Sequence, residues 1–287
     1  MKPPSFAYAR PGSLAEAFDL LERHGEDAKV LAGGQSLIAT LNMRLSSPAV
    51  LVDVTGIPGL AGIAAAKDKV RIGALTTHRA VERSAEIGAT LPLLAQAARH
   101  IAHVAIRNVG TFGGSLAMAD PAAEWPACCV ALDAELVLAS RAGERRVKAR
   151  TFFRGLYETD LKPGELVTAV EIPVPGKDHR ASFMELARRV GDYAIVGVAA
   201  LARAGAGKSG KALTDVRLAY LGVGPTPMLA TQAMAAAEGK PAADAAAAAQ
   251  AALDRDLKPT ADLHTSAAAK MHLARVLTGR ALAALAA

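Results

Sequence analysis

The sequence predicts an α+β protein built in two units, and three observations carry that prediction. Residues 1 to about 172 alternate short apolar runs with stretches of helical periodicity. Pro173-Val174-Pro175-Gly176 then breaks the pattern and marks a domain boundary. Beyond it, three strand-like runs come first and alanine-rich helices after, the order expected of one sheet with helices on one face. A chain of 287 residues suits two domains, or one domain in two lobes. The predicted units are 1–176 and 177–287, the first divided again near residue 55.

The elements follow in order. Ser13-Leu14-Ala15-Glu16 is a capping box behind Pro11-Gly12. Leu14, Ala17, Phe18 and Leu21 recur at helical spacing, and Gly25 is a natural stop. Lys29-Val30-Leu31-Ala32 is a short strand running into Gly33-Gly34-Gln35-Ser36, followed by a helix over 37–45 and a strand over 50–54. Together they form a β-α-β-type unit with a double-glycine turn where strand meets helix. Ile63 and residues 70–74 predict short strands, and Thr77 caps a short helix. Residues 91–102 predict a helix with Pro92 near its start, where a missing N–H is tolerated. Asp120-Pro121 opens a helix reaching about residue 132, and strands follow over 135–139, 145–148 and 166–172. The second unit has strands over 182–187, 196–203 and 215–223, then helices near 227–237, 242–253 and from 266 onward. The alanine run Ala245 to Ala249 is low in complexity but high in helix propensity.

Composition excludes several classes. Charged residues are 21% with both signs mixed, as in a globular protein. The net charge of +6 does not predict nucleic-acid binding, because the basic residues are scattered and aromatics are only 4%. Cys128 and Cys129 are adjacent in an apolar stretch, without metal-ligand spacing, and read as small buried hydrophobes. His100 and His103 have H-x-x-H spacing on a predicted helix but no third ligand, so no metal site is expected. The N-terminus has no signal-peptide pattern, and no apolar run is long enough for a membrane span, so the cytoplasm is the expected location.

Two loops carry the chemistry: Ala32-Gly33-Gly34-Gln35-Ser36 and Thr111-Phe112-Gly113-Gly114-Ser115. A diphosphate needs positive potential without steric crowding. Glycine lets the backbone come close and take positive φ, so that successive N–H groups point at one anion. A helix beginning after the loop adds partial positive charge, and the hydroxyls of Ser36, Thr111 and Ser115 offer further donors. Gly205-Ala206-Gly207-Lys208-Ser209-Gly210 matches G-x-G-x-x-G, but a strand follows it instead of a helix, so it reads as a turn between antiparallel strands. Asp120 and Glu124, four apart at a predicted helix start, face the same way and read as helix N-terminal carboxylates or ribose ligands. No residue is assigned as a catalytic nucleophile.

Thr111 to Ser115, with Asp120-Pro121 and Glu124 after them, resembles the T-x-G-G-x…D-P-x-x-D/E signature of the FAD-binding medium subunit of molybdenum hydroxylases, the carbon monoxide dehydrogenase and xanthine dehydrogenase family. Ala32 to Ser36 is similar to the family's A-G-G-x-S. Phe6 to Pro11 resembles its F-x-Y-x-x-P start, and Arg188-Arg189-Val190-Gly191-Asp192-Tyr193-Ala194 its R-R-x-G-D-Y-A segment. The similarity runs over nearly the whole chain, in order.

The resemblance implies a two-lobed FAD-binding domain of the vanillyl-alcohol oxidase type over 1–176, with lobes of about 1–55 and 56–176, and a C-terminal sheet-and-helix domain over 177–287. It implies non-covalent FAD, with Lys29, Val30, Leu31, Ala32, Gly33, Gly34, Gln35 and Ser36 around the diphosphate and adenosine end. Thr111, Phe112, Gly113, Gly114 and Ser115 would supply a second set of backbone donors. Ile101 would pack on the cofactor, Asp120 and Glu124 reach its polar groups, Leu166 lie near the adenine end, and Tyr193 sit against the isoalloxazine. It implies a molybdopterin-binding large subunit and a [2Fe–2S] small subunit as partners, in a dimer of heterotrimers. Electrons would pass from the iron–sulfur subunit through FAD to an external acceptor. Phe183-Met184-Glu185 departs from the family, many members of which carry Y-x-K or F-x-K there, so an acid replaces the cation. Residues 263–270 likewise depart from a usual R-x-S-A-E-Y-R-like run. Two other readings stay open on the residues: a stand-alone flavin oxidase, and an interaction subunit that has lost FAD.

Overall fold

The computed structural model describes residues 2–205 and 212–287. The first 55 residues form a small parallel sheet in which Val50–Asp53 lies between Ala7–Ala9 and Ala28–Leu31. Parallel neighbours need a crossover, and helix Leu14–His24 supplies the one between the outer strands. The Ser13 hydroxyl accepts the Glu16 N–H at 3.2 Å, and Glu16 accepts the Gly12 N–H at 2.8 Å, so the capping box closes one residue earlier than its ideal form. Gly25 ends the helix at φ 52°. Ala17, Phe18 and Leu21 bury that helix against Val50, Val52 and Leu166.

A second, antiparallel sheet has the order Ile63–Ala65, Lys69–Gly73, Leu166–Pro173, Glu135–Ser140, Gly143–Lys148. Its apolar face is covered by the helical stretch between residues 78 and 131. Trp125, Phe112, Leu91, Leu93, Leu94 and both cysteines are buried there, so Cys128 and Cys129 are the small core residues expected of them. A short hairpin, Phe153–Gly155 with Glu158–Thr159, had no counterpart in the sequence reading.

The third sheet runs His179–Ala187, Ala194–Gly205, Ala212–Leu221, Met228–Leu229. Side chains alternate across a strand, and both faces of Ala194–Gly205 are used. Val196, Val198, Ala200 and Ala202 pack under helices Thr231–Ala237, Ala242–Asp256 and Ala267–Ala286. Ala199 and Leu201 join the core containing Trp125. The sheet is therefore covered on both sides: helices on one face, as expected, and the N-terminal unit on the other. Small alanines let helices Ala242–Asp256 and Ala267–Ala286 lie close, and Tyr220 crosses to Thr278, hydroxyl to hydroxyl at 2.6 Å. The Gly205–Gly210 motif lies, beyond Gly205, outside the described residues, and the strands flanking it pair antiparallel.

Several element boundaries differ from expectation. The helix after the first glycine loop ends at Asn42, and Arg44 takes left-handed φ 58°. The helix begun by Pro92 ends at Ala97, and Ala102 has φ 41°. His100 and His103 therefore do not share a helical face; His103 instead precedes helix Val104–Arg107. Residues 120–123 form a turn, and the helix starts only at Glu124. Residues 228–229 form a strand where helix was expected, and the helix begins at Thr231.

Replacing Tyr220 by Phe removes a buried hydroxyl pair while Thr278 keeps its bond to the Ala274 carbonyl at 2.6 Å. The expected loss is about 1 kcal/mol, read as a lower urea midpoint at constant m-value.

Candidate cofactor site

The two glycine loops are in contact. A Cβ on Gly33 would stand 2.3 Å from the Val109 carbonyl oxygen and 2.7 Å from the Gly110 Cα, so only glycine permits the first loop to lie on the approach to the second. Ala32 meets the second loop again at Gly114, where an added Cβ would come 3.7 Å from the Ala32 Cβ. Gly113 is pressed on Ala74 in the same way, at 2.5 Å from its Cβ. The strand Ala28–Leu31 and the segment leading to Thr111 thus bring both loops to one place.

The loops differ in what they offer. Gly34 takes φ 69°, and the N–H groups of Gly33, Gly34, Gln35 and Ser36 meet no acceptor among the described residues. The Gln35 amide folds back to the Gly33 carbonyl at 3.1 Å. Ser36 does not cap its helix, which leaves its hydroxyl available. The second loop was expected to contribute a further set of backbone donors, and there the structure differs. The N–H groups of Phe112 and Gly113 donate to Thr76 and Ala74 carbonyls at 2.8 Å. Those of Gly114 and Ser115 donate to the Thr111 hydroxyl and carbonyl. The first two hold the loop to the end of the second sheet and the other two close its own helical turn, so it contributes a flat glycine surface, the half-buried Ser115 and the Thr111 cap.

The remaining predicted residues fall into two groups. Lys29 and Val30 are exposed beside the first loop and Leu31 is half-buried. Asp120, Glu124 and Tyr193 lie close enough together to act on one another electrostatically. Asp120 accepts the Ala122 N–H at 2.9 Å in the turn, so it is not a helical partner of Glu124. The Gly222 N–H donates to the Pro121 carbonyl at 2.9 Å, tying this turn to the third sheet. Tyr193 is 70% exposed, and its phenol is raised by partial desolvation first and by the Asp120 and Glu124 charges next. Burial raises Asp120 as well, and it pushes Glu124 up to about 8, with Glu185 adding to the effect. Ile101 and Leu166 are core residues: Ile101 is buried with Phe112 and Trp125, and Leu166 with Val52 and Ala139. Leu166 shares its cluster with Ala32, the first residue of the first loop.

Two residues given no role by sequence reasoning, His78 and Arg107, support the second loop and the segment before it. His78, 6% exposed, lies under Gly110, and its Nδ1 accepts the Trp125 indole N–H at 2.9 Å. Arg107, also buried, donates to the Ile101 and Ala102 carbonyls at 2.9 Å and to Glu82 at 3.1 Å. Arg107 was legible as a lone cation in an apolar run, but its partners lie on separate elements. Among the described residues no group of three or more metal-ligating side chains could hold a metal ion, and no helix is long and apolar enough to cross a membrane.

An unpaired run of N–H groups on a glycine cradle, walled by a second glycine loop, is an arrangement for an anionic cofactor. Residues 4–175 match the family described as the FAD binding domain in molybdopterin dehydrogenase, and residues 181–285 match the CO dehydrogenase flavoprotein C-terminal domain. The chain therefore belongs to the FAD-binding subunits of molybdopterin-dependent dehydrogenases. It is 41% identical to the 6-hydroxypseudooxynicotine dehydrogenase complex subunit alpha of Paenarthrobacter nicotinovorans, over 99% of this chain and 95% of that one. It is 38% identical to the carbon monoxide dehydrogenase medium chain of Afipia carboxidovorans, over 98% and 97%. A carbon monoxide dehydrogenase structure from Hydrogenophaga pseudoflava, lacking the Mo-pyranopterin moiety, superposes with a TM-score of 0.95 at 37% identity, covering 99% of this chain and 98% of that chain. The chain is thus a flavoprotein subunit of the oxidoreductase class.

His78 has its pKa lowered to about 4, by burial first and by the Arg107 charge second. A folded-state value below the unfolded 6.5 makes its contribution to stability full above pH 6.5 and lost as pH falls through about 4. The His78 imidazole is expected to stay neutral from pH 8 down to pH 5, read as flat proton chemical shifts of that ring. Replacing His78 by Ala leaves the Trp125 indole N–H unpaired and is expected to cost about 3 kcal/mol in a denaturant titration.

Proposed function

We propose that this chain is the electron-transfer subunit of a molybdenum-containing dehydrogenase. In this reading it takes electrons from a [2Fe–2S] subunit, passes them to an external acceptor, and works in the cytoplasm beside a molybdopterin-binding large subunit, as one half of a dimer of heterotrimers. Residues 1–176 would be the FAD-binding domain, in lobes of about 1–55 and 56–176, and 177–287 the C-terminal domain. The observation that carries the reading is the contact of the two glycine loops with the N–H groups of Gly33 to Ser36 left free. The relatives support it, since they are by name subunits of multi-chain dehydrogenases.

FAD supplies the redox chemistry when bound; the chain positions it and tunes its surroundings. Gly33, Gly34, Gln35 and Ser36 would donate N–H groups to the diphosphate, with Lys29 adding charge at that end. Gly113 and Gly114 would let the cofactor lie on the second loop without a side chain between. Tyr193, exposed and near two carboxyls, would cover the flavin ring, and Asp120 and Glu124 would meet polar groups of the cofactor. Ile101 would pack on the cofactor and Leu166 would lie near its adenine end, each from the margin of a buried core. The carbon substrate would be handled by the large subunit, and none of this chain's residues is assigned to that chemistry.

The purified chain is expected to show flavin absorption near 450 nm, or to take up added FAD and quench its fluorescence. A chain that remains colourless and takes up no FAD contradicts the assignment. Gly33→Leu must displace the Val109–Gly110 backbone and is expected to reduce FAD affinity at least about tenfold, equal to about 1.4 kcal/mol. The far-ultraviolet circular dichroism of that variant should be unchanged. Flavin content equal to wild type would rule out the first loop as the cradle.

A further inference from the structure

Glu185 is an acid with no Lys or Arg partner among the described residues. Its side chain is 3% exposed, on strand His179–Ala187, and its Oε2 has no hydrogen-bond partner among the described residues. Its neighbour along the strand, Met184, packs toward the C-terminal helices, so Glu185 faces the N-terminal unit. The residue opposite it on strand Ala194–Gly205 is Gly197, which brings no charge. The N-terminal unit presents His100 and Arg99 from the segment after helix Pro92–Ala97, Asp120 from its turn, and Glu124 and Cys128 from helix Glu124–Ala131.

Arg99 is the one fixed cation among them, and no Lys or Arg nitrogen of the described residues lies within 4 Å of Glu185. His100 Nδ1 is 3.9 Å from Glu185 Oε1, but the ring lies tilted against Phe183, centroids 5.3 Å apart, and burial first and Arg99 second lower its pKa. A neutral imidazole cannot balance a carboxylate. The Cys128 thiol is driven far up by burial and stays protonated. Helix Glu124–Ala131 packs on this same face, since Trp125 and Ala127 share one core with Phe183 and Leu221. The turn before it is bonded to Gly222, next to Leu221, which lies opposite Gly197 and so one strand beyond Glu185. Glu124 is itself buried, and the Glu185 charge acts against its own. Two buried carboxyls with no cation between them cannot both ionise cheaply.

We propose that Glu124 and Glu185 form a proton-holding acid pair at the edge of the cofactor site, which couples FAD binding to pH. The pair keeps at least one proton at neutral pH and loses the last on going to alkaline pH. Burial pushes Glu185 up to about 7 and Glu124 up to about 8, which sets that window. As an interacting pair they titrate in two steps that belong to neither residue alone. Each proton lost adds negative charge beside a cofactor carrying an anionic diphosphate, so FAD affinity falls as pH rises. By linkage, bound FAD makes the pair hold its proton more tightly. His100, its side chain 38% exposed, provides a route for the proton to solvent. The coupling rests on the FAD reading above; the proton-holding pair does not.

Two measurements on the full chain test this. Infrared spectra of the FAD-free chain, with carbon-13 glutamate, should show a protonated carboxyl band at pH 6 that is lost by pH 9. FAD affinity by fluorescence titration should weaken about tenfold from pH 6 to pH 9. Glu185→Gln should flatten that dependence and remove part of the band, and Glu185→Lys, which places a cation beside Glu124, should remove both. Carboxylate bands alone at pH 6 would overturn the pair even if no variant folds. A pH dependence of FAD affinity unchanged in both variants would overturn the coupling. If the chain binds no FAD at any pH, the function proposed above fails and the coupling with it, while the infrared result still decides the pair.

Discussion

The close approach of Gly33 to the Val109 carbonyl and Gly110 is the contact on which the site depends. It joins two stretches of chain more than seventy residues apart, one on the parallel sheet and one in front of the antiparallel sheet. A single methyl group at residue 33 would overlap backbone, which cannot swing aside as a side chain can. The first loop is thereby seated with its N–H groups free, and Gly34 turns the chain into the following helix through a positive φ.

What holds the other side of that contact is polar and buried. His78 supports Gly110 and takes the Trp125 indole proton, while Arg107 gathers the carbonyls of Ile101 and Ala102 and the Glu82 carboxylate. Such groups are costly to bury unless satisfied, and here these bonds satisfy them. The second loop is consequently rigid and spends its own donors on Thr76, Ala74 and Thr111. The division of labour is physical: the donors held by the sheet shape a wall, and the donors left free meet the anion. Among the described residues the Glu185 Oε2 has no such partner, and a proton shared with Glu124 takes the place of a cation.

Much of this was legible in one dimension. The capping box, the strand before Gly33, the Thr77 cap and the order of strands and helices in the C-terminal unit all depend on near neighbours, and they stand where the local rules put them. The misplaced ends were set by contacts made outside the helix concerned. The Pro92 helix stops at Ala97 because the next residues turn to offer the Ile101 and Ala102 carbonyls to Arg107. Asp120 leaves the helix because its carboxylate closes a turn on Ala122, with Pro121 bonded to Gly222. Strand Ala194–Gly205 carries apolar residues on both faces, but only the assembled molecule shows that one face meets helices and the other meets the core around Trp125.

Alone, the sequence determined the α+β class, the two glycine loops as places for an anion and, through its resemblance, the family of FAD-binding subunits to which the chain belongs. Each of these is carried by residues adjacent in the chain or by a pattern repeated in order. Only the tertiary structure decided that the loops touch, that one keeps its donors while the other uses them, and that Glu185 lies buried facing the acidic end of the site. Those outcomes depend on which groups from distant elements reach one another first, and hydrogen-bond accounting and desolvation are settled only when the chain is folded.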